Sequence, residues 1–111
     1  MTSMNEQQLG ELGWSDLSLR SIAWTNEGRD LVLAVRFGSP PRGYSGSDAT
    51  LTCSWASDLR IDMKFGERVG GHPVTWDVTF KQVDGRWSID FDFASTGHVS
   101  LWCNDIEIVE R

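Results

Sequence analysis

From Leu17 to the end of the chain, apolar and polar residues alternate with a period close to two, the pattern of half-buried β-strands. In LSLRSIAW (17–24), Leu17 and Leu19 share one parity while Ile22 and Trp24 share the other, which predicts a bulge near residues 20–21. TNEGRD follows as a polar turn around Gly28. LVLAVRF (31–37) is almost entirely apolar and predicts a central strand covered on both faces. GSPPRGYSGSD (38–48) carries too much Pro, Gly and Ser for regular structure and reads as a long loop.

The longest alternation runs over 51–65, with Leu51, Cys53, Trp55, Leu59, Ile61, Met63 and Phe65 on one parity. It predicts one long bent strand, or two strands broken at 56–58. GERVGGHP (66–73) ends it. VTWDVTF (74–80) alternates cleanly, and Asp84-Gly85 is the dipeptide that favours a two-residue hairpin turn. That turn fixes a register: Val83 against Arg86, Phe80 against Ile89, Val78 against Phe91 and Trp76 against Phe93. In the last segment, HVSLWCNDIEIVER (98–111), parity changes near Asn104 and Asp105, which predicts a second bulge.

Before Leu17, Ser3 and Glu6 have the spacing of a capping box, and Met4, Leu9 and Leu12 supply an apolar side. Residues 1–13 therefore read as a tail or short helix, and 14–111 as one domain. The expected fold is all-β: a single-domain antiparallel β-sandwich or small barrel of six to seven strands, with a short N-terminal helix.

The predicted hairpin register sets Asp77 opposite Asp92 and Asp90 opposite Thr79. WSIDFDFAS (87–95) thus places Asp90 and Asp92 on the polar side of a strand, in one cluster with Asp77. Opposed like charges are unfavourable, so this face needs hydration, balancing bases or a positive partner. Arg60 and Lys64 are candidate bases. A metal site needs several oxygen ligands converging on one point, and a strand face spreads them instead. A catalytic carboxylate pair needs two distinct environments, which nothing in this segment supplies.

The net charge is −6, from 10 basic and 16 acidic residues among 111. The dispersed bases argue against nucleic acid, whose phosphates need clustered Lys and Arg. An acidic surface suits a basic protein, or serves solubility. No apolar run reaches the length of a membrane span. The N-terminus lacks the basic and apolar regions of a secretory signal, so the expected location is cytoplasmic. Cys53 and Cys103 read as buried thiols. A disulfide would need neighbouring strands and an oxidising compartment. Two cysteines without suitably spaced histidines make no zinc site.

His72 and His98 lie far apart in turn-like contexts, without an oriented nucleophile; GYSGS lacks the spacing of a nucleophile elbow. No catalytic residue, metal or cofactor is therefore expected. The six tryptophans carry more information. Trp55, Trp76 and Trp87 are in core phase, Trp14 precedes the first strand, and Trp24 and Trp102 fall where parity is uncertain. Trp102 is balanced between the core and a surface anchor, a role that favours Trp and Arg. Arg42 and Tyr44 occupy the long loop, the part of a β-scaffold that often carries binding.

The tryptophan followed by SDLSLRSIAW, the polar turn and DLVLAVRF resemble small bacterial all-β proteins, some of them immunity proteins of toxin systems of the immunity protein 50 type. The resemblance covers roughly residues 14–65 and rests on strand rhythm and aromatic placement. It implies a bacterial binder that neutralises a basic toxin domain through an acidic surface, with no catalytic residues to carry over. The candidate partner-binding residues are then Asp77, Asp90, Asp92, Trp102, Tyr44 and Arg42. Two other functions fit the same residues. One is a small-molecule pocket lined by Trp102, His98 and Tyr44. The other is a structural subunit that dimerises through an edge strand.

Overall fold

Among the described residues, the alternating segments fold into eight antiparallel strands in two sheets, preceded by one short helix. The computed structural model describes residues 5–63 and 74–111. The first sheet has the order β1 (Ser18–Thr25), β2 (Asp30–Arg36), β3 (Asp48–Ser54), β8 (Asp105–Glu110). The second has the order β4 (Ser57–Met63), β7 (Gly97–Cys103), β6 (Arg86–Asp92), β5 (Asp77–Val83). The fold is an all-β sandwich, and its inner faces meet over Leu33, Leu51, Ile89, Phe91, Leu101 and Ile106, all buried.

The two sheets share a corner. β3 passes into β4 through Trp55 and Ala56, and β7 passes into β8 through Asn104. The pairing of β3 with β8 ends at Ser54 and Asp105, and that of β4 with β7 begins at Ser57 and Trp102 in the same register. One antiparallel ladder therefore bends from the first sheet into the second, as strands do when they switch sheets. Trp55 takes a left-handed backbone conformation to make the bend. Ala56 N–H donates to Arg29 O at 2.8 Å, and Asn104 N–H to Ser54 O at 2.8 Å. The parity change at Asn104 is thus a change of sheet, not the expected bulge. Over its described part, the expected 51–65 alternation is a pair of strands, β3 and β4, in different sheets. The count of eight exceeds the expected six to seven because each of these two long alternations crosses from one sheet to the other.

Other expectations divide. The bulge in β1 is present, between Leu19 and Ser21. The hairpin turn has Asp84 and Gly85 both at positive φ, the geometry that matches strand twist, and its register from Asp77↔Asp92 to Val83↔Arg86 agrees with the sequence. β2 lies between two strands but is covered on one face only: Leu31, Leu33 and Val35 are buried, while Val32 and Ala34 are half-exposed. Helix α1 (Glu6–Gly10) is capped by Asn5, not by the Ser3/Glu6 box; the Asn5 side chain accepts from Gln8 N–H and the Gln8 side chain accepts from Asn5 N–H. Ser3, Met4, Lys64, Phe65 and the 66–73 segment with His72 lie outside the described residues.

A second junction joins the start of β1 to the chain just before β5. Val74 bridges Ser18, Asp16 N–H donates to Thr75 O, and Thr75 N–H donates to Leu17 O. Thr75 is buried; its hydroxyl donates to Trp14 O at 2.6 Å and accepts from Leu17 N–H at 3.1 Å. This turns Trp76 outward, 74% exposed, although its parity predicted the core and a place against Phe93. Thr75→Val keeps the shape but orphans a buried N–H and a buried C=O, so it should lose about 2 kcal/mol in urea unfolding. A loss within experimental error would mean that the hydroxyl does not hold this junction.

Five aromatic residues run from the long loop into the core. Tyr44 meets Phe37 edge-on at 6.3 Å, and Phe37 meets Trp14 at 5.4 Å. Trp14 meets Phe80 at 4.8 Å, and Phe80 meets Trp87 at 6.4 Å. Trp14 Nε1–H donates to Leu9 O at 2.7 Å, which ties α1 to the sandwich.

Candidate functional site

The outer face of the second sheet carries the polar parity of β4, β5, β6 and β7. Its register aligns residues in rows across the strands. One row reads Asp77, Asp92, His98, Asp62. The next reads Thr79, Asp90, Ser100, Arg60. Asp92 and Asp62 flank His98, Asp90 sits beside it in the next row, and Asp77 lies one strand further out, on a face at least partly open to water. His98 Nδ1 lies 3.5 Å from Asp90 Oδ1, with both side chains about half exposed. Such a pair is worth little in stability, because water and salt screen it.

The carboxylates are held in place by the backbone. Asp77 Oδ1 accepts from Val78 N–H at 2.9 Å. Asp92 Oδ1 accepts from Ala94 N–H at 2.8 Å, in the turn that leads to β7. Each carboxylate keeps a second oxygen for another donor. Arg60, a candidate balancing base, lies in the Asp90 row with Ser100 between them. Among the described residues, no Lys or Arg forms an ion pair with Asp62, Asp77, Asp90 or Asp92. Arg60 and Lys81 stand on the same face without a direct ion pair to these aspartates among the described residues. No group of three or more His, Cys, Asp or Glu converges on a metal position among the described residues.

Trp76 stands at the acidic end of this face. Its N–H donates to Asp92 O at 2.7 Å, and it is the most exposed large apolar residue among those described. Trp102 is half-buried on the same face, in the row between Ser57 and Ser88. The structure thus brings Asp77, Asp90, Asp92 and Trp102 together. Asp62, His98 and Trp76 join them; none of the three is among the expected partner-binding residues, and His98 is expected only as a pocket liner. Asp62 could be placed on the polar parity of LRIDM, but only the order of strands sets β4 beside β7.

Arg42 and Tyr44 lie elsewhere. With Gln8, Glu11 and Leu12 they line a shallow cleft of about 500 Å3 between α1 and the long loop. Tyr44 caps the aromatic chain. Burial, with a smaller contribution from the Glu110 carboxylate, raises its phenol above the ordinary value, so it remains a neutral donor. Glu110 is engaged by Ser45 N–H and Gly46 N–H, both at 2.8 Å, which pins the loop to β8. The cleft at Tyr44 includes neither His98 nor Trp102 among its described lining residues. Trp55 also departs from its core phase: it is 55% exposed at the corner, with Arg29 stacked 5.1 Å above its ring.

Direct opposition of Asp77 and Asp92 costs stability. Asp77→Asn keeps the oxygen that accepts from Val78 and removes one charge. It should raise Tm by about 2 °C at low salt, a gain that fades in concentrated salt. A lower Tm at low salt would show that the pair is not repulsive.

No helix among the described residues is long and apolar enough to cross a membrane. No family model matches the chain, and no curated protein matches it. Among solved structures, the chain is similar in fold to an uncharacterized protein from Neisseria gonorrhoeae, with a TM-score of 0.65 at 12% identity over 87% of this chain and 93% of that one.

Proposed function

We propose that this protein is a non-enzymatic binding module that uses the outer face of its second sheet to capture a basic protein. The observation that carries the reading is the row Asp77–Asp92–His98–Asp62, with Asp90 beside it and without Lys or Arg ion pairs among the described residues. Assembling like charges on one sheet is unfavourable by itself. It becomes favourable when a cationic surface docks, and the field of the face speeds the encounter. Trp76 supplies an exposed aromatic at the rim, the residue type most often found at binding hot spots.

The resemblance to immunity proteins makes a basic toxin domain in a bacterial cytoplasm the natural class of partner. Tagged protein incubated with lysate of the native host at low salt should retain one basic protein, released as salt rises. Retention of the same protein at high salt would contradict a charge-driven face.

Among the described residues, the small-molecule reading is favoured by the cleft at Arg42, Glu11 and Tyr44, since large side chains fill the space between the sheets. The dimer reading rests on β4 and β8, each paired on one side only among the described residues.

A further inference from the structure

Cys53 and Cys103 occupy equivalent places on opposite sheets. Cys53 is the last inward residue of β3, beside Leu31 and Ile106. Cys103 is the last inward residue of β7, beside Trp87. Both are fully buried and both are free thiols. They lie on the inside of the corner, where the ladder bends from one sheet into the other, near enough for Cys103 to act on the Cys53 thiol. Neither thiol belongs to the acidic face.

We propose that Cys53 and Cys103 form a redox pair that closes into a disulfide between the sheets and locks the corner. The oxidant is a peroxide. One thiol loses its proton and its sulfur attacks an oxygen of hydrogen peroxide, breaking the O–O bond and leaving a sulfenic acid and one water. The second sulfur attacks the sulfenic sulfur and expels the hydroxide, which leaves as water with the second thiol's proton. Two thiols are oxidised by two electrons, and one peroxide is reduced to two waters. A sulfur already in contact with its partner captures the sulfenic acid before a second peroxide can.

The resting pair reacts slowly. Its mutual hydrogen bond first, then burial, holds the Cys53 thiol well above the ordinary thiol range, so little thiolate is present at neutral pH. The reaction should therefore accelerate as pH rises. The bond closes a loop of about fifty residues, which removes freedom from the unfolded chain and should raise Tm by roughly 10 °C.

The test uses the whole reduced protein, incubated with hydrogen peroxide at mildly alkaline pH. The readouts are intact mass, thiol count after denaturation, a non-reducing peptide map and Tm. The expected product has lost two hydrogens and both thiols together, stays monomeric, links Cys53 to Cys103, melts higher and reverts with dithiothreitol. Cys53→Ala and Cys103→Ala should each take up oxygen or stay unmodified, without the internal link. Should either variant fail to fold, the peptide map of the unaltered protein decides. Oxygen addition without a link, links only between molecules, or a lower Tm after linking would overturn the proposal. So would thiols that survive peroxide in the folded protein but cross-link once the chain is unfolded in urea.

Discussion

Replacing Trp14 with alanine should cost about 4 kcal/mol and loosen the N-terminal helix before the sheets melt. Trp14 is buried between Phe37 and Phe80, so truncation opens a cavity bounded by the loop and by β5. Its indole N–H also holds the Leu9 carbonyl, at the end of a helix too short to persist alone. The only other polar link described from the helix to the sheets is Gln82 N–H to Glu6 Oε1, at 3.2 Å and exposed. Two observables should separate. Urea unfolding reports the cavity, and hydrogen exchange at residues 5–12 reports release of α1. Trp14→Phe should recover most of the packing but not the helix protection. A Trp14→Ala loss under about 1 kcal/mol would show that the site collapses around the missing ring.

The second large effect concerns binding. Changing Asp62, Asp77, Asp90 and Asp92 to asparagine removes four charges while leaving Asp77 and Asp92 able to accept from Val78 and Ala94. The fold should therefore survive, relieved of the Asp77–Asp92 opposition. Affinity for the basic partner should fall by about 100-fold, mostly through slower association, and the salt dependence should flatten. Trp76→Ala should act differently, by speeding dissociation with the salt dependence unchanged, because it removes contact area and not charge. Reversal of these two signatures would mean that the acids are passive and the tryptophan alone docks.

The hairpin shows what a sequence can specify locally. Asp84-Gly85 fixes the turn, the turn fixes the register, and the register places Asp77, Asp90 and Asp92 on one polar side. The alternation past its start was misleading. Thr75 takes the inward place because its hydroxyl bonds Trp14 and Leu17, partners 61 and 58 residues away in sequence. No local pattern encodes that exchange, and it is what turns Trp76 outward. Parity was equally blind at the corner: Asn104 marks a change of phase whether the strand bulges or leaves its sheet. The half-burial of β2's second face and the exposure of Trp55 follow from the same missing knowledge, which strands and sheets lie opposite. The site divides along this line. The aspartates were legible because one hairpin carries three of them. Asp62 and His98 join only through the β4–β7–β6 order, and Arg42 and Tyr44 separate because their loop packs on α1 instead.

The central claim is that the outer face of the second sheet captures a basic partner by charge. The most direct measurement is a parallel capture from native-host lysate with the unaltered protein and the four-asparagine variant, across a series of salt concentrations. One basic protein should be held by the unaltered chain at low salt, released as salt rises, and not retained by the variant at any salt. Equal capture by both chains, with the same salt dependence, would contradict it.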